Sequence, residues 1–359
     1  MGRGPRFAGR GLLVVGSIAL VLGGTELGLR WIGSDAPLLH FGTPEVYRAD
    51  SDLIYSRRPG APHTNSLGLR DFEVDTRPGT FRVIALGDSY TFGFNVPPDA
   101  SYPALLEREL REGGRVGGAV DVVNAGIPGY NVDQAYRLFE ERLGGLDPDW
   151  VILVIEPKDL AGANVLYDLD GDELVRVGAY RNWIYWQLIL RSHTPAWLKA
   201  SKLYGFVLGK LSGSDLLRTL PPGGLDAQIE WQIAKIERIV DRLVARGREE
   251  GFRVLVVNYP DRPALRAGGD YTRSTYFELP VQILGPRGNE HMAELLAMLE
   301  RSGAEVIDGM QVFLERSRQR GDLEALYLGA DPHMSRFGNR TFARMLAPTL
   351  EATVGPRRR

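Results

Sequence analysis

The sequence predicts a doubly wound α/β fold, three layers deep (α/β/α), around a five-stranded, mostly parallel sheet. Two patterns carry this expectation. The segments 81–86, 120–124, 150–155, 252–258 and 304–307 are short and apolar without alternation, as strands buried on both faces are. Between and after them, 102–113, 131–144, 226–250, 289–302 and 337–350 place apolar residues at helical spacing. Strand–helix alternation of this kind puts helices on both faces of a parallel sheet. A chain of 359 residues with 44% apolar and 25% charged content can bury one large core of that type.

The elements come in order along the chain. Arg3, Arg6 and Arg10 precede an apolar run from Gly11 to Gly24. Basic residues on the N-terminal side predict that this end stays cytoplasmic and that the chain beyond the run is exported. The run fits a signal sequence in length and is short for a full membrane span. No clean small-x-small cleavage site succeeds it, and Leu27, Leu29, Trp31 and Ile32 continue its apolar character, so 1–33 is expected to be an uncleaved membrane anchor or, if cleaved, a signal for secretion. Pro37, Pro44, Pro59, Pro62 and Pro78 predict an irregular lead-in over 34–80 that wraps onto the main domain, 81–355.

Residues 160–225 interrupt the alternation as an insertion. Val165-Leu166-Tyr167 and Leu174-Val175-Arg176-Val177 flank Asp170-Gly171, a hairpin signal. The acidic run 168–172 resembles a calcium loop only faintly, because its twelfth position would be Ala179 instead of Glu. Trp183, Tyr185, Trp186, Trp197, Tyr204 and Phe206 then make an aromatic cluster, either the packing face of a helical insertion or a lid or sugar platform over a site. The absence of cysteine removes thiol nucleophiles, thiolate metal sites and disulfides, and a formal net charge of −2 implies no nucleic-acid partner. No cofactor or metal is implied.

The chemistry concentrates where 81–86 ends. Gly87-Asp88-Ser89 comes directly after the strand, and a serine on a tight turn at a strand end is exposed as a nucleophile. A serine hydroxyl needs a base. Of the five histidines, His40 and His63 fall in the lead-in, His193 in the insertion, and His291 at a helix start. His333 sits in the loop before the final helix, two residues after Asp331, which can hold the imidazole in one tautomer and stabilise its charged form.

Four separated blocks resemble the SGNH (GDSL-type) hydrolases: Gly87-Asp88-Ser89 with Gly93; Asn124-Ala125-Gly126-Ile127-Pro128-Gly129-Tyr130-Asn131; Val151 to Asp159; and Asp331-Pro332-His333 with Phe337-Gly338-Asn339. Asn65-Ser66-Leu67-Gly68-Leu69-Arg70 is similar to the lead-in of an exported, membrane-anchored subgroup. The resemblance covers about residues 60–350. It implies a flavodoxin-like sheet of the SGNH-hydrolase type. It also implies a serine esterase acting through an acyl-enzyme on Ser89, with His333 as base and Asp331 as acid; Asp308 is the fallback acid. The expected oxyanion donors are the backbone N–H groups of Ser89 and Gly126, the alternative for Gly126 being a simple turn glycine. The third donor departs from the pattern: Gly-x-Asn-Asp becomes Glu156-Pro157-Lys158-Asp159, so Lys158 replaces the asparagine and Glu156 the glycine. The substrate expected is an ester-bearing small molecule, glycan or lipid. Two alternatives stay open, an O-acyltransferase acting on a carbohydrate and a catalytically weakened or silent glycan-binding relative.

Overall fold

The structure is a computed structural model that describes residues 5–31, 46–162, 165–195, 198, 201–204, 224–275, 282–329 and 331–352. Its centre is a five-stranded sheet of β3 (Phe81–Gly87), β4 (Val120–Gly126), β5 (Trp150–Ile155), β8 (Arg253–Asn258) and β9 (Glu305–Asp308). The order is β4-β3-β5-β8-β9 and every pairing is parallel. β3 and β5 are buried along their whole length, which is why their sequences carry no polar alternation. This order reverses direction between β3 and β5, so a crevice opens at their carboxyl ends, the ordinary ligand position in such sheets.

Two groups of helices flank the sheet. α3 (Tyr102–Gly113) packs against the C-terminal α10 (Arg336–Glu351), and α4 (Val132–Leu138) joins α6 (Gly224–Glu250) and α8 (Gly288–Arg301). Where one helix was expected over 131–144, α4 passes into a single π turn at Phe139–Leu143, ending at Gly144. The remaining helices are α1 (Pro5–Trp31), α2 (Ser89–Phe92), α5 (Trp183–His193), α7 (Arg262–Arg266) and α9 (Gly309–Arg320).

The lead-in is more ordered than its prolines suggest. β1 (Tyr47–Asp50) and β2 (Ile54–Arg57) form an antiparallel hairpin, and Leu53, Ile54, Tyr55 and Leu69 are fully buried. Every proline of 34–80 lies outside the two strands, so none removes a donor from the ladder. In the insertion, Asp170-Gly171 does mark a hairpin, β6 (Tyr167–Asp170) and β7 (Glu173–Arg176). α5 packs against β1 and β2, so among the described residues this aromatic helix covers the hairpin and no lid is seen; Trp197 and Phe206 lie outside the described residues. Residues 16–25 of α1 are all exposed, and Glu26 accepts hydrogen bonds from the Lys202 and Leu203 amides (3.0 and 2.7 Å) and from Ser201 Oγ (2.8 Å). Among the described residues no helix is long and apolar enough to cross a membrane, so the fold lends the anchor expectation no support.

One buried ion pair ties the insertion to the sheet layers. Lys235 of α6 is fully buried, with Nζ 2.9 and 3.0 Å from the two oxygens of Asp133 on α4. Asp133 Oδ2 also accepts the amides of Leu166 and Tyr167 at 3.0 and 3.1 Å, fixing the start of β6. Removing one partner strands the other as an uncompensated buried charge. Lys235→Met is therefore expected to lower the unfolding free energy by about 3–5 kcal/mol, read as a fall in the urea midpoint, with Lys235→Met/Asp133→Asn recovering part of the loss.

Candidate active site

The site is built on the turn after β3. Asp88 caps α2, its Oδ1 accepting the Tyr90 amide at 2.8 Å, and Gly93 closes the helix in the left-handed region (φ 73°). Ser89 is thereby the first residue of a one-turn helix, with an amide that has no intrahelical acceptor. Two further contacts fix this turn. Arg70 donates from Nη1 to the carbonyls of Phe92 and Gly93 (2.8 and 2.7 Å) and from Nη2 to that of Val96 (2.7 Å), its guanidinium stacked 4.7 Å from the Phe92 ring centroid. Asn65 shapes the bend that presents Arg70, its Oδ1 accepting the amides of Leu67 and Leu69. From below, β4 approaches so closely that a Cβ at Gly126 would lie 2.2 Å from the Phe92 nitrogen and 2.8 Å from the Asp88 carbonyl oxygen.

His333 arrives from the other end of the chain. It lies in the short strand β11 (Asp331–Met334), paired with β10 (Tyr327–Leu328), where the sequence suggested a loop. Its Nε2 is 2.8 Å from Ser89 Oγ, and its Nδ1 is 2.6 Å from Asp331 Oδ1. An ionised Asp331 only accepts, so Nδ1 carries the proton and Nε2 is left to accept from the serine hydroxyl. The single residue between acid and histidine is enough, because Asp331 Oδ1 also accepts the His333 amide at 2.8 Å and folds the carboxylate back onto the ring. Burial works to raise the Asp331 carboxyl, but the bonds from the His333 amide and ring and from Asn95 outweigh it and hold the group below its ordinary value. Asn95 Nδ2 donates to Asp331 Oδ2, and Arg262 donates to the Asp331 carbonyl at 3.1 Å. The rings of Tyr90 and Phe94 flank the imidazole with centroids 5.0 and 4.8 Å away.

At the switch point between β3 and β5 lies a charged cluster. Lys158, in the 3-10 turn Pro157–Ala161 after β5, places Nζ 2.5 Å from Asp88 Oδ2 and 3.0 Å from Glu156 Oε1. Asp88 Oδ2 is in turn 3.4 Å from Ser89 Oγ. Burial favours the neutral form of each group, and neighbouring charges overturn it at Lys158 and Asp88 but not at Glu156 or Asp159. Lys158 is held well above its ordinary value by the charges of Asp88 and Glu156. Asp88 is held below its ordinary value by Lys158 and by hydrogen bonds from Glu156, Lys158 and the Tyr90 amide. Glu156 goes the other way, pushed well above the carboxylate range by burial and then by Asp88. Burial likewise raises Asp159 to about 6.

Two expected oxyanion donors are therefore not free. The Gly126 amide donates to Asn124 Oδ1 at 3.1 Å, and the glycine is required by the close approach of β4 to the nucleophile turn. The Lys158 ammonium commits two of its three donors to Asp88 and Glu156. Asn131, the last residue of the second block, caps α4 through the Gln134 amide. Asp308 caps α9 and bonds Asn258, which removes it as the fallback acid. His63 and His193 are exposed, His291 is buried in α8, and His40 lies outside the described residues. Asp88, Arg70, Asn95, Tyr90 and Phe94 are the site residues that motif reading passed over. Four of them stand within seven residues of Ser89, and Arg70 ends a quoted motif, so proximity in sequence was the available signal.

Residues 85–341 match the sequence model of the GDSL-like lipase/acylhydrolase family. No curated protein matches the chain. Among solved structures, a lipase/acylhydrolase from Enterococcus faecalis is similar at 14% identity and a TM-score of 0.42, covering 78% of this chain and 100% of its own. An acetylxylan esterase from Geobacillus stearothermophilus aligns at 14% identity and a TM-score of 0.41, covering 78% of this chain and 97% of its own.

Arg70 clamps three carbonyls with one planar fork, a geometry that an ammonium cannot reproduce. Arg70→Lys is expected to cost about 2 kcal/mol of unfolding free energy, the scale of lost charge-assisted hydrogen bonds. A thermal melt with an unchanged midpoint would show that the clamp does not hold the turn.

Proposed function

This chain belongs to the GDSL-like lipase/acylhydrolase family and is an ester hydrolase; we propose that it works as a serine esterase through an acyl-enzyme on Ser89. The observation that carries the reading is the unbroken relay from Ser89 Oγ through His333 Nε2 and Nδ1 to Asp331, at 2.8 and 2.6 Å, set beside the β3 carboxyl end. Ser89 Oγ attacks the ester carbonyl carbon as its proton passes to His333 Nε2, and Asp331 stabilises the imidazolium. The Ser89 amide, without an intrahelical partner, donates to the oxygen that gains charge. Collapse of the tetrahedral intermediate sends the proton from Nε2 to the leaving alkoxide and leaves the acyl group on Oγ. Water, deprotonated by His333, then repeats the sequence and frees the serine. Asn95 and Arg262 hold Asp331 in place, and Tyr90 and Phe94 hold the imidazole ring.

The substrate class we assign is an acylated envelope glycan or a lipid-like ester, resting on a targeting role for the N-terminal segment. That role is supported by the arginines preceding the apolar run Gly11–Gly24. Such a segment suits either a membrane-associated form or a signal removed on secretion, with the catalytic domain on the non-cytoplasmic side in both. Transfer of the acyl group to a carbohydrate hydroxyl shares the first half-reaction and is separated by whether acyl groups appear in water or on an added glycan.

Turnover of p-nitrophenyl acetate by the full chain tests the mechanism. Ser89→Ala is expected to lower kcat/KM by about 10⁴-fold or more, and Asp331→Asn by about 10²–10⁴-fold because Asp331 is partly exposed. Asn95→Ala is expected to lower kcat by about tenfold with KM unchanged. A fluorophosphonate probe should add covalently at Ser89. If wild type neither exceeds Ser89→Ala in turnover nor takes up the probe, the esterase reading falls.

A further inference from the structure

The two departures from the family pattern, Glu156 for glycine and Lys158 for asparagine, fall on residues that touch the same third group. Asp88 must be present as the cap of the nucleophile helix, and it is 3% exposed. Its second oxygen stands 3.4 Å from Ser89 Oγ, next to the hydroxyl whose proton must go to His333. We propose, building on the esterase reading, that Lys158 is a counter-cation that cancels the Asp88 charge beside Ser89, with Glu156 as the acceptor that fixes the ammonium. Lys158 is thus a positioning residue acting through Asp88.

In a buried site the balance of charge decides. The Lys158 ammonium, 2.5 Å from Asp88 Oδ2, offsets the Asp88 charge, while burial favours the protonated form of Glu156 and raises Asp159 to about 6. Water is nearly excluded, with 3% and 14% of the Asp88 and Lys158 side chains exposed, and an unbalanced charge there would act strongly. A bare carboxylate would offer Oγ–H a second acceptor, oppose the negative charge that develops on the oxyanion, and favour the imidazolium before reaction begins. An asparagine at position 158 would leave Asp88 bare. A lysine without Glu156 would lose the acceptor, 3.0 Å from Nζ, that fixes the ammonium against Asp88. Glu156 is itself placed by a reciprocal cap, its amide donating to Asp159 Oδ2 at 2.8 Å. The pair of departures therefore gives Asp88 a counter-charge that glycine and asparagine would not supply.

Other charged and titratable groups lie around His333 or its neighbour Tyr90, and Asp159, raised to about 6, lies against Lys158. Asp331 comes from the same strand as His333, and Tyr90 from the nucleophile helix. Arg262 and Asp261 stand at the start of α7, with Glu324 paired to Arg262, and Tyr327 lies on β10. None of them is altered by the variants below, so the cluster is isolated as the variable.

The test is the midpoint of the His333 imidazole titration, tracked by NMR in the full chain and assigned with a His333→Gln control. Lys158→Met leaves a net negative charge and is expected to move the midpoint up by about half to one pH unit. Asp88→Asn keeps a capping oxygen but leaves a net positive charge, and is expected to move it down by a similar amount. Asp88→Asn/Lys158→Met should return close to wild type, and Glu156→Gln, which removes no charge, should leave the midpoint in place. Midpoints that stay put, or that move the same way in both single variants, overturn the proposal. Should Lys158→Met fail to fold, the downward shift in Asp88→Asn and its reversal in the double variant decide the matter alone. The titration needs no turnover. Turnover with an unmoved midpoint sinks this inference alone. Opposed shifts in a protein without turnover or probe labelling sink the esterase reading alone.

Discussion

The contact between Ser89 Oγ and His333 Nε2 joins residues 244 positions apart, and the rest of the site exists to keep that 2.8 Å distance. A four-residue helix has too few hydrogen bonds to hold a nucleophile by itself. It is held instead from three directions: Asp88 at its start, Arg70 on its terminal carbonyls, and the bare backbone of Gly126 pressed beneath it. The histidine side is held in the same manner. Asp331 fixes the ring, Asn95 and Arg262 fix Asp331, and Tyr90 and Phe94 close on the imidazole faces. Tyr90, Phe94 and Asn95 belong to the nucleophile segment, so the two halves of the relay brace each other and not only the scaffold.

The parallel sheet explains why charge gathers here. Its order brings the ends of β3 and β5 together with no strand between them, so Asp88 and Lys158 meet where the crevice opens. Two carboxyls and an ammonium in so little water cannot all be ionised without cost. Burial and the Asp88 charge favour the protonated form of Glu156, while Lys158 favours the ionised form of Asp88, so the two carboxyls move in opposite directions. Lys158 then differs from an asparagine in kind. It supplies a field that depends on its partner's charge, where an amide would supply one fixed dipole.

The five sheet strands were legible as short, wholly apolar runs and the helices as apolar residues at helical spacing. Ser89 was legible because it stands at a strand end in a short block, and His333 and Asp331 because they stand together in a short block before the final helix. The features that were not legible depend on distance in space. Nothing at Gly126 distinguishes an oxyanion donor from a contact glycine until the Phe92 backbone is seen 2.2 Å from its missing Cβ. Lys158 could equally have reached into the crevice; its commitment to Asp88 rests on a turn geometry that spacing does not encode. The β1–β2 hairpin was hidden by the prolines around it, although none falls within either strand.

That hairpin places the working boundary of the enzyme well before the first sheet strand. Tyr55 donates to the Pro128 carbonyl at 2.8 Å, Tyr130 donates back to the Tyr55 carbonyl at 2.6 Å, and Gln134 reaches the Leu53 carbonyl at 2.9 Å. These bonds grip the loop after β4, the same segment whose glycine supports the nucleophile turn. Arg70, a few residues on, closes the turn from the opposite side. The stretch that composition marks as a leader thus buckles the second block to the first. Without residues 46–70 the sheet would keep its strands, but the Ser89 turn would lose its carbonyl clamp and the loop behind Gly126 would lose its tyrosine pair. The catalytic unit is for that reason the sheet domain together with its lead-in.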